Sequence, residues 1–405
     1  MTYPEAERYL LSLELFGMRF GLDRMRRLMT ALGSPQERFG SVHVAGTNGK
    51  SSTVRMTAAI LARHGLRAGA YLSPHLVSFN ERIRIDDADL SQDRFAAAVA
   101  RAARAADKVN RTLEEGDRVT QFEALTAAAY SEIAEQGADV AVVEAGLGGR
   151  WDATNVIPSK VQVLTNVGLE HTRWLGPTIA DIAGEKLAVV RDGATLVLGD
   201  DALVVVELAE RTGAKIVRPT AAEAPGAAVA PLPGYQRRNF AAALAAAEAL
   251  LGEPLDAARV ADVAGRVRVP GRLQVVAQRP LTIYDGAHNA PGIAALAGSV
   301  PEGTVAVLSI LDDKDAAGML RALLPRLGAA VFTRAPNPRA LPPATLADLA
   351  GKVGGIRSEI EPDPRRAVAR ARELAGESGT VLATGSIYLV AELLSAPGRR
   401  RASAL

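Results

Sequence analysis

No cysteine occurs among the 405 residues. Disulfides, thiolate metal sites and a cysteine nucleophile are excluded, and any metal has to be held by oxygen ligands or by one of five histidines. No apolar run is long enough to span a bilayer, and Met1-Thr2-Tyr3-Pro4-Glu5 lacks the character of a signal peptide. The expectation is a cytoplasmic chain with no membrane partner. Strong charge of one sign is missing as well. A net charge of +2 argues against a nucleic-acid footprint and for small substrates handled by local charge. Internal repeats are absent. What remains is ordinary globular material, 48% hydrophobic and 23% charged, in a chain longer than one core usually supports, so two domains are expected.

The stretch Val42-His43-Val44-Ala45-Gly46-Thr47-Asn48-Gly49-Lys50-Ser51-Ser52-Thr53 begins with strand-like alternation, turns through two glycines and runs into a helix-like segment, Val54 to Arg63. Glycines between strand and helix let backbone N–H groups face an anion at close range. Lys50 can reach terminal phosphates, and Ser51 or Ser52 a bound Mg²⁺. The full phosphate-loop pattern has glycine five positions before Gly49, where this chain has Val44. Strand, glycines, Gly-Lys-Ser and helix nonetheless occur in the required order.

Around this loop the pattern predicts an α/β protein: a mostly parallel, phosphate-loop NTPase-like sheet domain over 1–268, a hinge at 269–273 and a smaller Rossmann-like α/β domain over 274–405. Two helices are expected in 4–33, broken near Gly17. Strands are expected at 66–72, at 138–144, ending in Glu144, and at 161–167, leading to His171. Helices are expected at 91–108, 120–136 and 178–190. Residues 191–230 read as weaker strands and an Ala/Pro-rich stretch. An Ala-rich helix then runs to about Leu251. In the second half strands are expected at 274–284, 303–310, 329–333 and 379–384. Helices are expected at 290–299, 315–326, 342–352, 364–376 and 386–394. Parallel strands place their C-terminal ends on one edge, so Ser73, Glu144 and His171 are expected to converge near the phosphates. An acidic residue at the end of a buried strand is a Mg²⁺ ligand in such proteins. Nothing in composition distinguishes Lys186 from a solvated helix lysine.

These residues resemble the folylpolyglutamate synthase/dihydrofolate synthase family, the folate branch of the Mur ligase superfamily. The matching segments are Gly46 to Lys50, Ser73-Pro74-His75-Leu76 with Asn80-Glu81-Arg82, Phe122-Glu123 with Thr126-Ala127, and Glu144 to Arg150 through Asp152-Ala153-Thr154-Asn155. They continue with His171, Leu175-Gly176, Thr178, Glu185-Lys186, Gln236 with Asn239, and Pro270-Gly271-Arg272. Asp285-Gly286-Ala287-His288-Asn289, Asp313-Lys314-Asp315 and Gly385-Ser386 complete the set. The resemblance implies an ATP-dependent amide ligase that phosphorylates a substrate carboxylate and lets the amine of L-glutamate attack the acyl phosphate. It implies dihydropteroate and folates as acceptors, two Mg²⁺ sites and a monomer. It places Gly46, Thr47, Asn48, Gly49, Lys50, Ser51, Ser52, Gln236, Asn239, Arg272 and Asp285 at ATP. Ser73, Glu144, His171 and a carbamylated Lys186 fall at the metals, with Lys50, Lys186 and His288 in catalysis and Arg82, Phe122 and Ser386 at the substrates. The chain departs from the family at Ser51 for Gly, Glu170 for Asp, Leu187-Ala188 for Ala-Gly, and Tyr235 for His.

Two rivals stand beside this reading. Muramyl-peptide ligases usually carry a UDP-sugar domain before the loop, and only 45 residues precede Gly46 here. A non-ligase nucleotide switch would release ADP without needing glutamate or folate.

Overall fold

The structure is a computed structural model, which describes residues 1–14, 21–219 and 234–396. The expected break at Gly17 and part of the Ala/Pro-rich stretch lie outside the described residues. By its internal contacts the chain forms two units. One holds 1–14, 21–219 and 236–267; the other holds 234–235 and 268–396.

The first unit is built on eight strands: β1 (Gly40–Ala45), β2 (Ala68–Tyr71), β3 (Ile83–Ile85), β4 (Ala88–Asp89), β5 (Val140–Glu144), β6 (Val161–Leu164), β7 (Thr195–Leu198) and β8 (Lys215–Val217). Their order is β4-β3-β2-β5-β1-β6-β7-β8. Neighbours pair in parallel from β2 through to β8, whereas β3 and β4 are antiparallel additions at one edge. The central position of β1 follows from its composition. Val42 and Val44 are fully buried on one face, and Ser41, His43 and Ala45 are buried on the other. β5 has every residue buried, the burial on both faces expected of an inner parallel strand. Helix Lys50–Arg63 leaves β1 through the glycine loop and packs along the Ala-rich helix Gln236–Leu251. On the opposite face the core joins Ala45, Ala145, Leu164, Leu196 and Leu198 to Ala183 and Leu187 of helix Ile179–Leu187.

The second unit has β9 (Gln274–Gln278), β10 (Leu281–Tyr284), β11 (Thr304–Leu308), β12 (Leu327–Phe332), β13 (Ser358–Ile360) and β14 (Thr380–Thr384) in the order β13-β12-β11-β14-β10-β9. The stretch 274–284, expected as one strand, is an antiparallel hairpin of β9 and β10 that turns at Arg279-Pro280. Proline cannot donate to a sheet ladder, which explains why pairing stops there. β13 was not expected. It is three residues long, and only Glu359 of the three is less than exposed.

Two histidines are buried in the first unit. Burial is the main cause that pushes His43 down to about 3, with Arg191 adding to it, and it also pushes His75 well below the ordinary range, helped by Arg82. Both rings are neutral when folded and bind a proton on unfolding once the pH is below about 6.5. Their contribution is therefore complete above about pH 6.5 and is lost as the pH falls toward the folded values, at up to about 1.4 kcal/mol per pH unit for each ring. Urea midpoints of the protein and of its His43→Gln and His75→Gln variants, measured from about pH 7 to pH 5, should show the steepest fall for the unaltered chain.

Candidate functional site

The loop between β1 and helix Lys50–Arg63 is shaped by two close approaches. At Gly46, with φ of 147°, a Cβ would lie 1.9 Å from Thr165 Oγ1. Gly49 caps the helix in the left-handed region at 86°, where a Cβ would lie 2.4 Å from Asn239 Oδ1. The loop is buttressed from the residues that follow β6. Thr165 Oγ1 donates to Asn48 O at 2.7 Å, Asn48 N–H donates to Asn166 Oδ1 at 3.0 Å, and Thr47 N–H donates to Asn166 O at 2.8 Å. Thr165 and Asn166 were not picked out from the sequence; their place just past a central strand was the available signal. Asn239 is buried and donates to Gln236 Oε1 at 2.9 Å, so these two expected nucleotide-side residues do meet at Gly49. Gly46→Ala is expected to weaken ADP binding by about tenfold or more, since backbone and Thr165 must both move; titration calorimetry checks it.

Two lysines converge on one carbonyl. Lys50 Nζ donates to Gly46 O at 3.0 Å and to Thr47 O at 3.2 Å, and Lys186 Nζ donates to the same Gly46 O at 2.9 Å. Lys186 is 5% exposed, not the solvated lysine that its helix composition suggests. Burial, then the neighbouring Lys50 charge, lowers it to about 7, with Glu170 and Asp152 opposing. It is delivered by the turn after β5. Arg150 N–H donates to Glu185 O at 3.0 Å, Arg150 Nε bonds Glu185 Oε1 at 2.9 Å, and a Cβ on Gly149 would lie 2.6 Å from the same carbonyl. Two cationic groups on one oxygen, beside a helix N-terminus, make a place for an anion.

Glu144, 2% exposed at the end of β5, accepts Ser51 O–H at 2.9 Å on one oxygen and Ser73 N–H at 3.1 Å on the other. Ser51, Ser73 and Glu144 are therefore brought together. β6 ends at Leu164, not at 167, so His171 is not at a strand end. It stands in the left-handed region, φ 53°, as the exposed residue before the short helix Thr172–Leu175. Ser52 Oγ is buried without a hydrogen-bond partner. A buried carboxylate beside the Ser51 hydroxyl offers hard oxygen donors, which suit Mg²⁺.

The turn after β5 rests on Phe122. A Cβ on Gly146 would lie 2.5 Å from this ring, which stacks on Tyr71 at 6.2 Å between centroids. Asp152, part of the matching segment but given no role there, accepts Leu147 N–H at 2.7 Å and Thr154 N–H at 3.0 Å. Burial raises its carboxyl, and hydrogen bonds from Thr154, Leu147 and Gly146 oppose that. Arg82, expected at the substrate, is 2% exposed; Nε donates to His75 Nδ1 at 2.9 Å and the guanidinium lies over the Phe79 ring.

Within the second unit, Asp285 accepts Leu273 N–H and Ala287 N–H, each at 2.8 Å, and the Tyr235 hydroxyl. Arg272 lies against Gly286, where a Cβ would be 2.3 Å from its Nη1. His288 donates through Nδ1 to Gly286 O at 2.8 Å. Ser386 is buried and caps helix Ile387–Leu394 by accepting Tyr388 N–H at 3.2 Å.

A phosphate loop heading a parallel sheet, followed by residues 271–387 that match the family model described as Mur ligase, glutamate ligase domain, defines an ATP-dependent amide ligase. The chain is 37% identical to the dihydrofolate synthase/folylpolyglutamate synthase of Mycobacterium tuberculosis, over 82% of this chain and 77% of that one. With the Bacillus subtilis protein of the same name the identity is 31%, over 97% and 98%. The chain belongs to the folylpolyglutamate synthase/dihydrofolate synthase family. It spans half the length of the Haloferax volcanii probable bifunctional folylpolyglutamate synthase/dihydropteroate synthase, at 34% identity. Among solved structures, the M. tuberculosis folylpolyglutamate synthase complexed with ADP superposes with a TM-score of 0.89 at 32% identity, covering 98% of this chain and 99% of that one. The Escherichia coli protein in complex with DHPP and ADP gives 0.86 at 29%, covering 97% of each.

Proposed function

We propose that this chain joins L-glutamate to dihydropteroate and to the γ-carboxylate of folate glutamates, at the cost of ATP and through an acyl phosphate. The observation that carries the reading is the meeting of Lys50 and Lys186 on Gly46 O beside Glu144. In the reaction Lys50 and the loop amides face the transferring phosphoryl group and offset the charge spread over its oxygens. Glu144, with Ser51, Ser73 and His171, would hold Mg²⁺, which when bound neutralises phosphate charge. Gln236 and Asn239 fix the nucleotide side of the loop. Phe122 offers an aromatic face to the pteridine-bearing substrate, and Ser386 faces the incoming glutamate.

Lys186 would serve as a carbamate. Its lowered pKa leaves much of the amine neutral near pH 7, the form that adds carbon dioxide, and the product is an anionic oxygen ligand in place of a cation beside Lys50. Two metal sites and a monomeric, cytoplasmic enzyme complete the proposal.

Protein incubated with MgATP and L-glutamate, and with dihydropteroate or tetrahydrofolate in separate reactions, should yield products one glutamate heavier by mass. Turnover of ATP with no added glutamate in either product would support the nucleotide-switch reading.

A further inference from the structure

The ligation chemistry leaves a cluster of buried polar side chains on β1 and β6 unused. Ser41 and His43 share a face of β1, and the register sets His43 beside Gln162 of β6 and Val143 of β5. His43 and Gln162 are completely buried and Ser41 nearly so. From this core a chain of hydrogen bonds reaches the turn after β5. His43 Nε2 lies 2.8 Å from Thr154 Oγ1, and Thr154 Oγ1 bonds Asp152 Oδ1.

The protons in this chain can be assigned. Asp152 receives backbone N–H groups from Leu147, Thr154 and Gly146. Burial pushes this carboxyl up, but amide protons are fixed and require acceptors, so three of them on one carboxyl oppose that push and favour the ionised form. The Thr154 hydroxyl then spends its single proton on Asp152. In the His43–Thr154 contact the proton must come from His43 Nε2, and Nδ1 is left as a bare lone pair. Nδ1 is buried with no partner, as are Ser41 Oγ and Gln162 Oε1. The amide nitrogen of Gln162 is already committed to Ser159 O at 2.7 Å and Ser159 Oγ at 2.8 Å. One hydroxyl donor and two acceptors therefore remain on neighbouring positions of one sheet face.

We propose that His43 is a positioning residue for Asp152 and the Gly146–Gly149 turn, fixed as its Nε2–H tautomer by one buried water that accepts from Ser41 and donates to His43 Nδ1 and Gln162 Oε1. Three hydrogen bonds are the usual complement of a buried water. A ring that turned over would lose both the water and the Thr154 contact, and a second proton on Nδ1 would lose the bond from the water. The neutral state follows from burial, which holds this histidine far below its ordinary range. The effect is directed. Asp152 pins Leu147, and Gly146 rests on Phe122, so release of Asp152 is felt on the Phe122 side, whereas Arg150 holds the Lys186 helix separately through Glu185.

The tautomer is tested without any activity. In histidine-¹⁵N-labelled protein, the resonance that vanishes in His43→Gln should show Nε2–H and no titration between about pH 5 and pH 9. An Nδ1–H tautomer, or a titration in that range, overturns the assignment. The positioning role rests on the proposed function and is read kinetically. His43→Leu and Thr154→Val should each raise KM for dihydropteroate about tenfold, with KM for ATP within about twofold. His43→Gln keeps an N–H for Thr154 and should restore KM to near the original value. Unchanged KM in His43→Leu and Thr154→Val, or a His43→Gln enzyme as impaired as His43→Leu, overturns the role. Absence of ligation by the unaltered enzyme would instead count against the proposed function, and the NMR result would still decide the tautomer.

Discussion

Lys50→Ala is expected to lower glutamate- and folate-dependent ADP release by at least about 1,000-fold while leaving the fold intact. Among the described residues its ammonium bonds only Gly46 O and Thr47 O, carbonyls of its own loop, and it is partly exposed. The loop is held instead by Thr165, Asn166 and Asn239, which the change does not touch. The variant should therefore melt within a few degrees of the parent by circular dichroism. The cost falls on the transition state, where charge spreads over phosphoryl oxygens beside this lysine. Loss of Lys50 also removes a like charge from Lys186, whose pKa should move back toward the ordinary lysine value. Lys186 cannot replace Lys50, because its nitrogen is buried on Gly46 O and its helix is tethered by the Arg150–Glu185 contacts. Turnover within tenfold of the parent would remove Lys50 from phosphoryl transfer.

How much of this site could be read from residues depended on what fixed each group. Glu144 was legible because four apolar residues before it demand an inner strand, and an inner parallel strand delivers its last side chain to the functional edge. The loop was legible because Gly46 and Gly49 meet geometric demands that only glycine satisfies. Lys186 was legible only by resemblance. Its burial is a tertiary fact, created when the turn at Gly149 and Arg150 seats the helix that carries it. The burial of Arg82 is a tertiary fact of the same kind, its guanidinium resting on His75 and the Phe79 ring. The edge strands β3 and β4 were missed because their pattern is short and charged, and their pairing is reinforced by Arg84 with Asp87 and Asp89, partners that no hydrophobic period announces. The His43 network was invisible in principle, since a histidine in an apolar strand is legible only as an oddity until Thr154 and Gln162 are placed beside it.

Glu144→Ala should abolish product formation as completely as Lys50→Ala, by at least about 1,000-fold, and by a different route. Among the described residues its carboxylate is the one buried acid that meets both the helix start at the phosphate loop, through Ser51, and the segment after β2, through Ser73 N–H. Without it the loop side of this point offers a hard cation only the neutral Ser51 hydroxyl, which binds Mg²⁺ poorly. The loop itself stays formed, because Ser51 O–H can turn to water and Thr165 and Asn166 still hold Asn48. Nucleotide binding in the absence of Mg²⁺ should accordingly be within a few-fold of the parent, and the extra affinity that Mg²⁺ gives the parent should be missing. Calorimetric titration of ADP with and without Mg²⁺ separates the two. Stability should drop modestly, since Arg82, fully buried and attracted by this charge, loses part of its compensation. A Glu144→Ala enzyme that bound MgADP as tightly as the parent would show that the metal is held elsewhere on this sheet edge.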